Sequence, residues 1–467
     1  MFVERDLVAG GSPWRLLRLP GASATVVERW RAGATVLAGQ ENLARTLVQQ
    51  GVLHADYVAT FDLTDVDVVV PTIGEVAQLE RLLKELQILQ VTVVDDGSRD
   101  PGAVEQITNR YGVRLVRLAH NGGPAAARNA GVAATRRPFV LFVDVDITFP
   151  AVVQTLESLL VGFADPLVAA VAPRIKGAMG PGWRSEFESR HCPLDLGQQS
   201  GLVVPRARVS YVPSAALLVR RIAFGDGFDV SMRVGEDVDF VWRLHDAGWL
   251  VRYDASQVVF HDARDSWVQW WNQRMGYGRS ANVLAARHGD RVTPVAVDIW
   301  TLASWVAAVW GRPRWAMTAV SVARRGLVAQ LPPSTTDPDR VANQIVVRGI
   351  FGAGAPLARA VTRSYGPVLL LAMLHPKLRR VALTIGVVGT AWRWRHQPAL
   401  VAGDIPLAVA DDLAYATGLW SGAWREKSTR ALRPKISIST AGLRSIGAKS
   451  PVVAPRLKRE TQRRTVI

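Results

Sequence analysis

Three apolar runs of strand length, each ending in polar residues, constrain the fold of this chain more than any other feature. They span Val66–Thr72, Val91–Ser98 and Phe139–Asp146, and the last two end with acidic residues. Continuous valine-rich runs are typical of parallel strands that are buried on both faces of a sheet. In such sheets, ligands bind at the carboxyl ends of the strands. The runs therefore predict an α/β domain with its site where the polar residues gather.

Helical segments separate these runs. Between the first two, leucines recur over residues 76–89 with the spacing of one buried helix face. Residues 102–110 predict the next helix, and residues 113–118 predict a short strand. The resulting order is βαβαβ, which is typical of a doubly wound, Rossmann-like sheet.

The 467 residues divide into four predicted regions. Residues 1–60 form a small module that looks like a shortened winged-helix domain, with a strand at 13–19 and helices at 22–30 and 41–50. Modules of that kind hold leader peptides, and the alternative is a plain packing element. The predicted catalytic domain covers 61–290, a helical region covers 291–424, and a basic tail covers 425–467.

The formal net charge of +16 is unevenly distributed, because residues 425–464 carry twelve Lys or Arg against two Glu. Such a tail suits anionic lipid, nucleic acid or an acidic protein, and it also suits a solvated, disordered end. The single cysteine, Cys192, excludes an internal disulfide and a multi-cysteine metal site, which fits a reducing cytoplasm. No signal peptide is expected, because acidic residues occur at once and no apolar core follows.

The helical region is rich in Trp and Arg. Its longest uninterrupted apolar runs reach about a dozen residues, whereas a membrane span needs about 20, so a spanning helix is not expected. Asp298–Val309 and Trp315–Leu331 predict helices that either lie in a bilayer interface or pack as a helical domain. The expected location is the cytoplasm or the inner face of the cell membrane.

Asp95-Asp96-Gly97-Ser98 ends the second run. A carboxylate accepts a hydrogen bond from the imide N–H of uracil, which makes Asp96 a candidate for base recognition. The alternative is an ordinary turn after a strand.

A glycine-rich segment, Asn121–Gly131, opens into a predicted helix. Glycines let the backbone approach a ligand closely, and a helix N-terminus favours anions. The segment matches neither a dinucleotide fingerprint nor a Walker loop. Arg128, one turn into the helix, can face a nucleotide.

Asp144 and Asp146 alternate along an extended segment, so both carboxylates can address one site. Hard oxygen donors of this kind suit Mg²⁺ or Mn²⁺, with diphosphate oxygens and water completing the shell. His261 either joins that shell or is structural.

Together these motifs resemble the large inverting glycosyltransferase family 2, whose members have a single nucleotide-binding GT-A domain. The resemblance implies that Thr72, Asp96 and Arg128 contact the uridine part of the donor, and that Asp146 with Asp144 binds the metal. Pro71 and Asp144 are further candidates for binding the donor. The matching segments, which cover about half of the chain, are Val70–Thr72, Asp95–Ser98, Asn121–Gly131, Asp144–Asp146, Pro213–Arg221, Phe228–Asp229 and Gly235–Arg243.

Glu236-Asp237 matches the position where these enzymes keep their base. A sugar hydroxyl is a poor nucleophile, and a positioned carboxylate removes its proton as the new bond forms. One base suffices for inversion, because a metal stabilises the leaving diphosphate. We assign Asp237 as the base, the alternative being a helix cap.

Processive members of the family carry Gln-x-x-Arg-Trp after the catalytic domain, whereas this chain has Gln273-Arg274 and Tyr277-Gly278-Arg279. The difference argues against a cellulose-synthase type of channel. Arg274 is a candidate for neutralising diphosphate and Tyr277 for stacking on a sugar, with ordinary loop packing as the alternative for each.

Within the family, the chain resembles glycosyltransferases of the mycofactocin pathway in its N-terminal module, its Trp267–Ala281 segment and its Trp/Arg-rich C-terminal region. This implies transfer of glucose from UDP-glucose to a peptide-derived redox cofactor precursor, extended into an oligoglucoside. The alternative acceptor is a polyprenyl phosphate or a cell-wall glycan. The sparsely basic N-terminal module disfavours a nucleic-acid-binding protein, and the intact metal, base and nucleotide motifs disfavour an inactive sugar-nucleotide scaffold.

Overall fold

The computed structural model describes residues 2–4, 7–11, 15–19, 21–264, 266–331, 333, 335–394, 403–438 and 444–445. The chain forms two compact units. The helical unit is built from residues 1–10, 14–36 and 264–449, and the sheet unit centres on residues 37–263.

Both units draw on the following elements. The strands are β1 (Phe2–Glu4), β2 (Leu7–Gly10), β3 (Arg15–Arg18), β4 (Val66–Thr72), β5 (Gln90–Asp95), β6 (Arg114–Arg117), β7 (Phe139–Val143), β8 (Ile147–Thr148), β9 (Val168–Gly177), β10 (Gly201–Leu202), β11 (Ala216–Arg220), β12 (Leu250–His261), β13 (Ala296–Asp298), β14 (Lys435–Ser437) and β15 (Arg444–Ser445). The helices are α1 (Gly21–Arg31), α2 (Glu41–Gln49), α3 (Val76–Glu85), α4 (Pro101–Tyr111), α5 (Pro124–Ala133), α6 (Val152–Val161), α7 (Trp183–His191), α8 (Glu236–Asp246), α9 (Trp267–His288), α10 (Ile299–Val309), α11 (Pro313–Val328), α12 (Pro338–Arg359), α13 (Gly366–Leu374), α14 (Pro376–Trp394) and α15 (Asp404–Arg425).

A mixed sheet forms the core of the sheet unit. Its order is β10-β12-β9-β11-β7-β4-β5-β6, and β8 pairs with β12. Strands β7, β4, β5 and β6 are parallel, and β11 is antiparallel to β7. The three apolar runs thus form β4, β5 and β7, and the predicted βαβαβ order is confirmed.

Valines on β4 explain why this strand is central. They are fully buried, because α3 covers one face and α5 the other. At Gly131 helix α5 approaches β4 so closely that a Cβ would overlap the side chain of Val69. Thr72 lies opposite Asp95 in the parallel register, so the two strands end at the same edge. The polar residues that follow them are therefore delivered to one side of the sheet.

The helical unit contains a sheet of β1, β2, β3 and β15, the pair β13 and β14, and helices α9 to α15. Helices α9 and α15 pack so closely that their backbones touch at glycines. A Cβ at Gly278 would overlap the carbonyl oxygen of Tyr415, and one at Gly418 would overlap that of Met275.

The predicted domain boundaries differ from those of the structure. Helix α9, placed in the catalytic domain by the boundary at 290, belongs to the helical unit because it packs on α15. Residues 1–60 are divided between the units, since Arg45 on α2 forms an ion pair with Asp165 of the sheet unit. The predicted disordered tail is ordered at 425–438, where α15 ends and β14 pairs with β13; residues 439–443 and 446–467 lie outside the described residues.

By length and composition, the helical stretch Pro338–Ser364 is apolar enough to cross a membrane, because its 27 residues contain an 18-residue window with a mean hydropathy of 1.3. This stretch does not stand out in the sequence as an uninterrupted apolar run, because Arg348 and Arg359 lie within it. One such helix among the residues that the structure describes does not establish a membrane span.

Candidate active site

The ends of β4 and β5 bring two predicted nucleotide-contacting residues together. The backbone N–H of Asp96 donates to the carbonyl oxygen of Thr72 at 2.8 Å. The Thr72 hydroxyl donates to Glu75 Oε2 at 2.9 Å and accepts from the N–H of Gly74 at 3.1 Å. Pro71 lies one residue earlier on β4, opposite Val94. Hydrogen bonds thus connect the carboxyl ends of β4 and β5.

Asp96 is buried and anchors the glycine-rich segment. Its Oδ1 accepts from the N–H of Gly122 at 2.7 Å, and its Oδ2 accepts from the N–H of Gly123 at 2.8 Å. Gly97 has φ +75°, and a Cβ there would lie 2.7 Å from the backbone nitrogen of Asn121. A carboxylate has about four lone-pair sites, so Asp96 keeps acceptor capacity for a base N–H after holding the loop.

Arg128 on α5 is the centre of a buried ionic cluster. Its Nη1 donates to Glu236 Oε1 at 2.8 Å and its Nη2 donates to Asp144 Oδ1 at 2.6 Å. The guanidinium also lies 5.6 Å from the centre of the Phe228 ring. Burial alone would lower the pKa of Arg128, but Asp144 and Glu236 outweigh it and raise the pKa. Arg128 therefore stays charged and connects Asp144, which follows β7, to Glu236 at the start of α8.

Helix α8 begins at this cluster. Gly235 precedes it with φ +86°, and Glu236 and Asp237 occupy its first turn. Asp237 Oδ1 accepts from the N–H of Val238 at 2.8 Å, and its Oδ2 accepts from the N–H of Ser214 at 3.4 Å. The cap position is taken by glycine, so the acidic pair does not fill it.

Two unusual pKa values follow from this crowding. Burial, and then the charge of Asp237, raise the pKa of Glu236 to about 7. Burial likewise raises the pKa of Asp237, although Arg128 opposes the shift. Adjacent carboxylates in such a setting titrate together. The pair can therefore accept a proton near neutral pH.

The predicted metal ligands are arranged as two groups. His261 at the end of β12 pairs with Ile147 on β8, and its Nε2 lies 3.3 Å from Asp146 Oδ2. Asp144, two residues earlier, is bound to Arg128. Among the described residues, no group of three or more His, Cys, Asp or Glu is arranged to hold a metal. Carboxylate and imidazole donors fit Mg²⁺ or Mn²⁺ when substrate oxygens and water complete the shell.

Arg274 and Tyr277 lie in the helical unit, on α9. Arg274 has 0% exposed area, and its Nε donates to Asp411 Oδ1 at 2.6 Å. Its guanidinium lies 6.0 Å from the ring of Tyr277. Asp411 also accepts from Arg363 at 2.6 Å. The part that Arg274 and Tyr277 play with a diphosphate or a sugar stays a prediction.

Glu236 has a larger part in the cluster than its sequence position predicts. The sequence places it beside the base without a role, but Glu236 is the buried partner of Arg128, and its pKa is raised to about 7. Its adjacency to Asp237 was the available signal. The contact between Arg274 and Asp411 had no signal in the sequence, because 137 positions separate the two residues.

A mixed sheet whose parallel strand ends hold a glycine-rich segment, with a buried acid pair of raised pKa at the start of a helix, is typical of the active site of an α/β enzyme. The family model described as "Glycosyl transferase family 2" matches residues 67–228. The chain is also 38% identical over 451 residues to the "Pre-mycofactocin glycosyltransferase" of Mycobacterium tuberculosis, both in strain CDC 1551 / Oshkosh and in strain ATCC 25618 / H37Rv; each match covers 93% of this chain and 95% of the relative. The chain therefore belongs to glycosyl transferase family 2 and is a glycosyltransferase, which confirms the predicted class and the GT-A type of α/β fold.

Solved structures give more distant matches. The mannosyltransferase PcManGT from Pyrobaculum calidifontis, in complex with GDP-Man and Mn²⁺, is 16% identical; the match covers 83% of this chain and 95% of that one, with a TM-score of 0.45. TarS 1–349 from S. aureus, in complex with UDP-GlcNAc, is 17% identical; the match covers 72% and 95%, with a TM-score of 0.36. The family assignment rests on the sequence matches.

Proposed function

We propose that this glycosyltransferase inverts the anomeric centre as it moves glucose from UDP-glucose to an acceptor hydroxyl. The observation that carries the proposal is the cluster of Arg128, Asp144, Glu236 and Asp237. It sets a carboxylate with a raised pKa beside Arg128, on the helix that the glycine-rich segment opens, and beside Asp144, which follows β7. A base with a pKa shifted toward the working pH is suited to take the proton of a hydroxyl.

In this proposal each residue has a defined task. Thr72 and Asp96 hold the uridine, and Arg128 orients Asp144 and Glu236. Asp237 removes the acceptor proton while the acceptor oxygen forms its bond to the anomeric carbon. The bond from that carbon to the diphosphate oxygen breaks in the same step, and UDP leaves with the electron pair. Mg²⁺ or Mn²⁺ held by Asp146, Asp144 and His261 would stabilise the charge of the diphosphate.

The proposed acceptor is pre-mycofactocin, a peptide-derived redox cofactor precursor, together with the oligoglucoside that grows on it. The support is the 38% identity, over nearly the whole chain, to relatives with that name. To test it, the purified chain is incubated with a panel of UDP-sugars, Mg²⁺ or Mn²⁺ and acceptors, and the products are weighed by mass spectrometry. Transfer that occurs only to a polyprenyl phosphate or a cell-wall glycan, and only with lipid present, would favour the alternative acceptor.

We expect Asp146→Ala to remove the metal-dependent part of UDP-glucose affinity. The loss should be at least about tenfold in Mn²⁺, since disturbing even the support of a metal ligand costs that much. Calorimetry with and without Mn²⁺ measures it, and Asp56→Ala, which removes an exposed carboxylate, is the control. An unchanged response to Mn²⁺ would move the ion away from Asp146.

We also propose that the helical unit contacts an anionic membrane surface. Helix α13 leaves large apolar side chains exposed, with Leu371 at 67% and Leu374 at 80%. Trp310 and Trp315 on the same unit are exposed as well. Residues 299–394 carry twelve Lys or Arg against two Asp. Exposed apolar and aromatic side chains within a basic segment favour peripheral binding to anionic lipid.

The chain should therefore co-sediment with vesicles of phosphatidylcholine and phosphatidylglycerol, and less with phosphatidylcholine alone. The double variant Leu371→Ser/Leu374→Ser should bind less, and added salt should weaken binding of the wild type. Val58→Ser/Ile88→Ser, which changes exposed apolar residues of the sheet unit, is the matched control. Equal sedimentation with and without vesicles would exclude the contact.

A further inference from the structure

Two exposed apolar side chains follow β9 just beyond its carboxyl end. Strand β9 ends at Gly177, which pairs with His261, and the N–H of Ala178 donates to the carbonyl oxygen of His261 at 2.8 Å. Met179 follows Ala178 and is 88% exposed, and Trp183, the first residue of α7, is 72% exposed. Since His261 contacts Asp146, this segment leaves the sheet beside the candidate active site.

Helix α7 is held firmly against the end of that strand. A Cβ at Gly177 would overlap the backbone of Glu188, so the helix and the strand touch directly. Phe187 is buried, and its ring lies 4.7 Å from that of His191. Trp183 precedes Phe187 by four residues, so both lie on the same helix face. Trp183 thus begins the helix face that Phe187 continues into the core, and its own indole stays exposed to solvent.

The chain length keeps this indole close to the site. From Ala178 to Trp183 the backbone spans at most about 17 Å when fully extended. The segment is shorter than that, because the chain at Gly180 turns back toward Ser185. A Cβ added at Gly180 would lie 3.1 Å from the hydroxyl oxygen of Ser185. The backbone of Trp183 therefore lies within about 17 Å of Ala178, which is hydrogen-bonded to His261.

We propose that Trp183, together with Met179, is an acceptor platform that stacks on a glucose ring of the growing oligoglucoside. The inference rests on the proposed function, because that function supplies an acceptor that already carries glucose. The negative face of an indole attracts the positively polarised C–H groups on one side of a pyranose. Ser185 and Glu186 follow in the first turn and carry groups that can hydrogen-bond to sugar hydroxyls. Ligand sites combine such an apolar face with a few polar groups.

Saturation-transfer NMR with cellobiose as the probe tests the platform directly, using the full chain. The wild type should transfer saturation to the sugar ring protons, and Trp183→Ala should weaken binding about tenfold, the loss of one good aromatic contact. Trp183→Phe should keep most of the affinity, because a phenyl ring preserves the stacking face. Ile88→Ala is the matched control: it removes an exposed apolar side chain that precedes β5, at the amino end of the strand.

Kinetics give a second readout. With a glucosylated acceptor, Trp183→Ala should raise the acceptor KM about tenfold, while the KM for UDP-glucose changes much less. Equal cellobiose binding by Trp183→Ala and the wild type, or no binding by the wild type, would overturn the platform. If UDP-glucose is not a substrate at all, the proposed function fails, and the NMR comparison still decides the role of Trp183.

Discussion

Asp237→Asn will bind UDP-glucose as the wild type does and will lose transfer by about 10²- to 10⁴-fold, the usual contribution of a positioned general base. Asparagine has nearly the same shape and can keep the hydrogen bond that Ser214 donates. It cannot accept the proton of a hydroxyl. The expected effect is therefore on kcat, with donor affinity left in place.

Product mass spectrometry gives the rate, and calorimetry with UDP gives the affinity. Glu236→Gln is the matched control, because it changes the neighbouring buried carboxylate and leaves the assigned base intact. It should retain most of the turnover. Full turnover by Asp237→Asn with loss in Glu236→Gln would reassign the base to Glu236.

The pH profile provides an independent check on the same pair. Burial raises the pKa values of both Glu236 and Asp237, and the charge of Asp237 adds to the shift of Glu236, whose pKa reaches about 7. The base Asp237 works only when ionised, and burial raises its pKa, so the rate should increase with pH over a range that lies above the pKa of an ordinary aspartate. In Glu236→Gln one negative charge is absent, and the rise should move to lower pH.

The parallel half of the sheet could be predicted from the sequence because its signals are local. Strand β4 occupies Val66–Thr72, the run read from the sequence, since a strand buried on both faces is apolar at nearly every position. The motif residues Asp96 and Asp144 follow such strands directly. Their place at the edge of the sheet was therefore fixed by the strands themselves.

The antiparallel half and the pairing inside the site were not predictable in the same way. Strand β12 mixes buried and exposed positions, and its register against β9 shifts between Asp254 and Val258. The bond from Arg128 to Glu236 joins residues 108 positions apart. Only the folded sheet brings them together. The sequence motifs placed Arg128 at the nucleotide and Glu236 beside the base, but they gave no sign of the ion pair between the two residues.

That pairing makes Arg128→Met the variant with the largest expected loss of stability. Arg128 is buried between Asp144 and Glu236 and binds both. Methionine fills a similar volume but leaves two partly or fully buried carboxylates without their cation. Removing one partner of a buried ionic group costs about 3 to 5 kcal/mol. Urea denaturation followed by circular dichroism should show a lower midpoint.

The sign of the pH dependence separates this explanation from a simple packing defect. Without Arg128 the pKa of Glu236 rises further, because burial and Asp237 act unopposed. A carboxyl whose folded pKa is raised costs no stability below its ordinary pKa, and the cost grows as the pH rises from there through the folded pKa. The loss in Arg128→Met should therefore be larger at pH 8 than at pH 5. Arg110→Met, which removes a largely exposed ion pair with Glu80, should cost at most about 1 kcal/mol. A loss in Arg128→Met that is equally small, or independent of pH, would show that the cluster does not depend on its central charge.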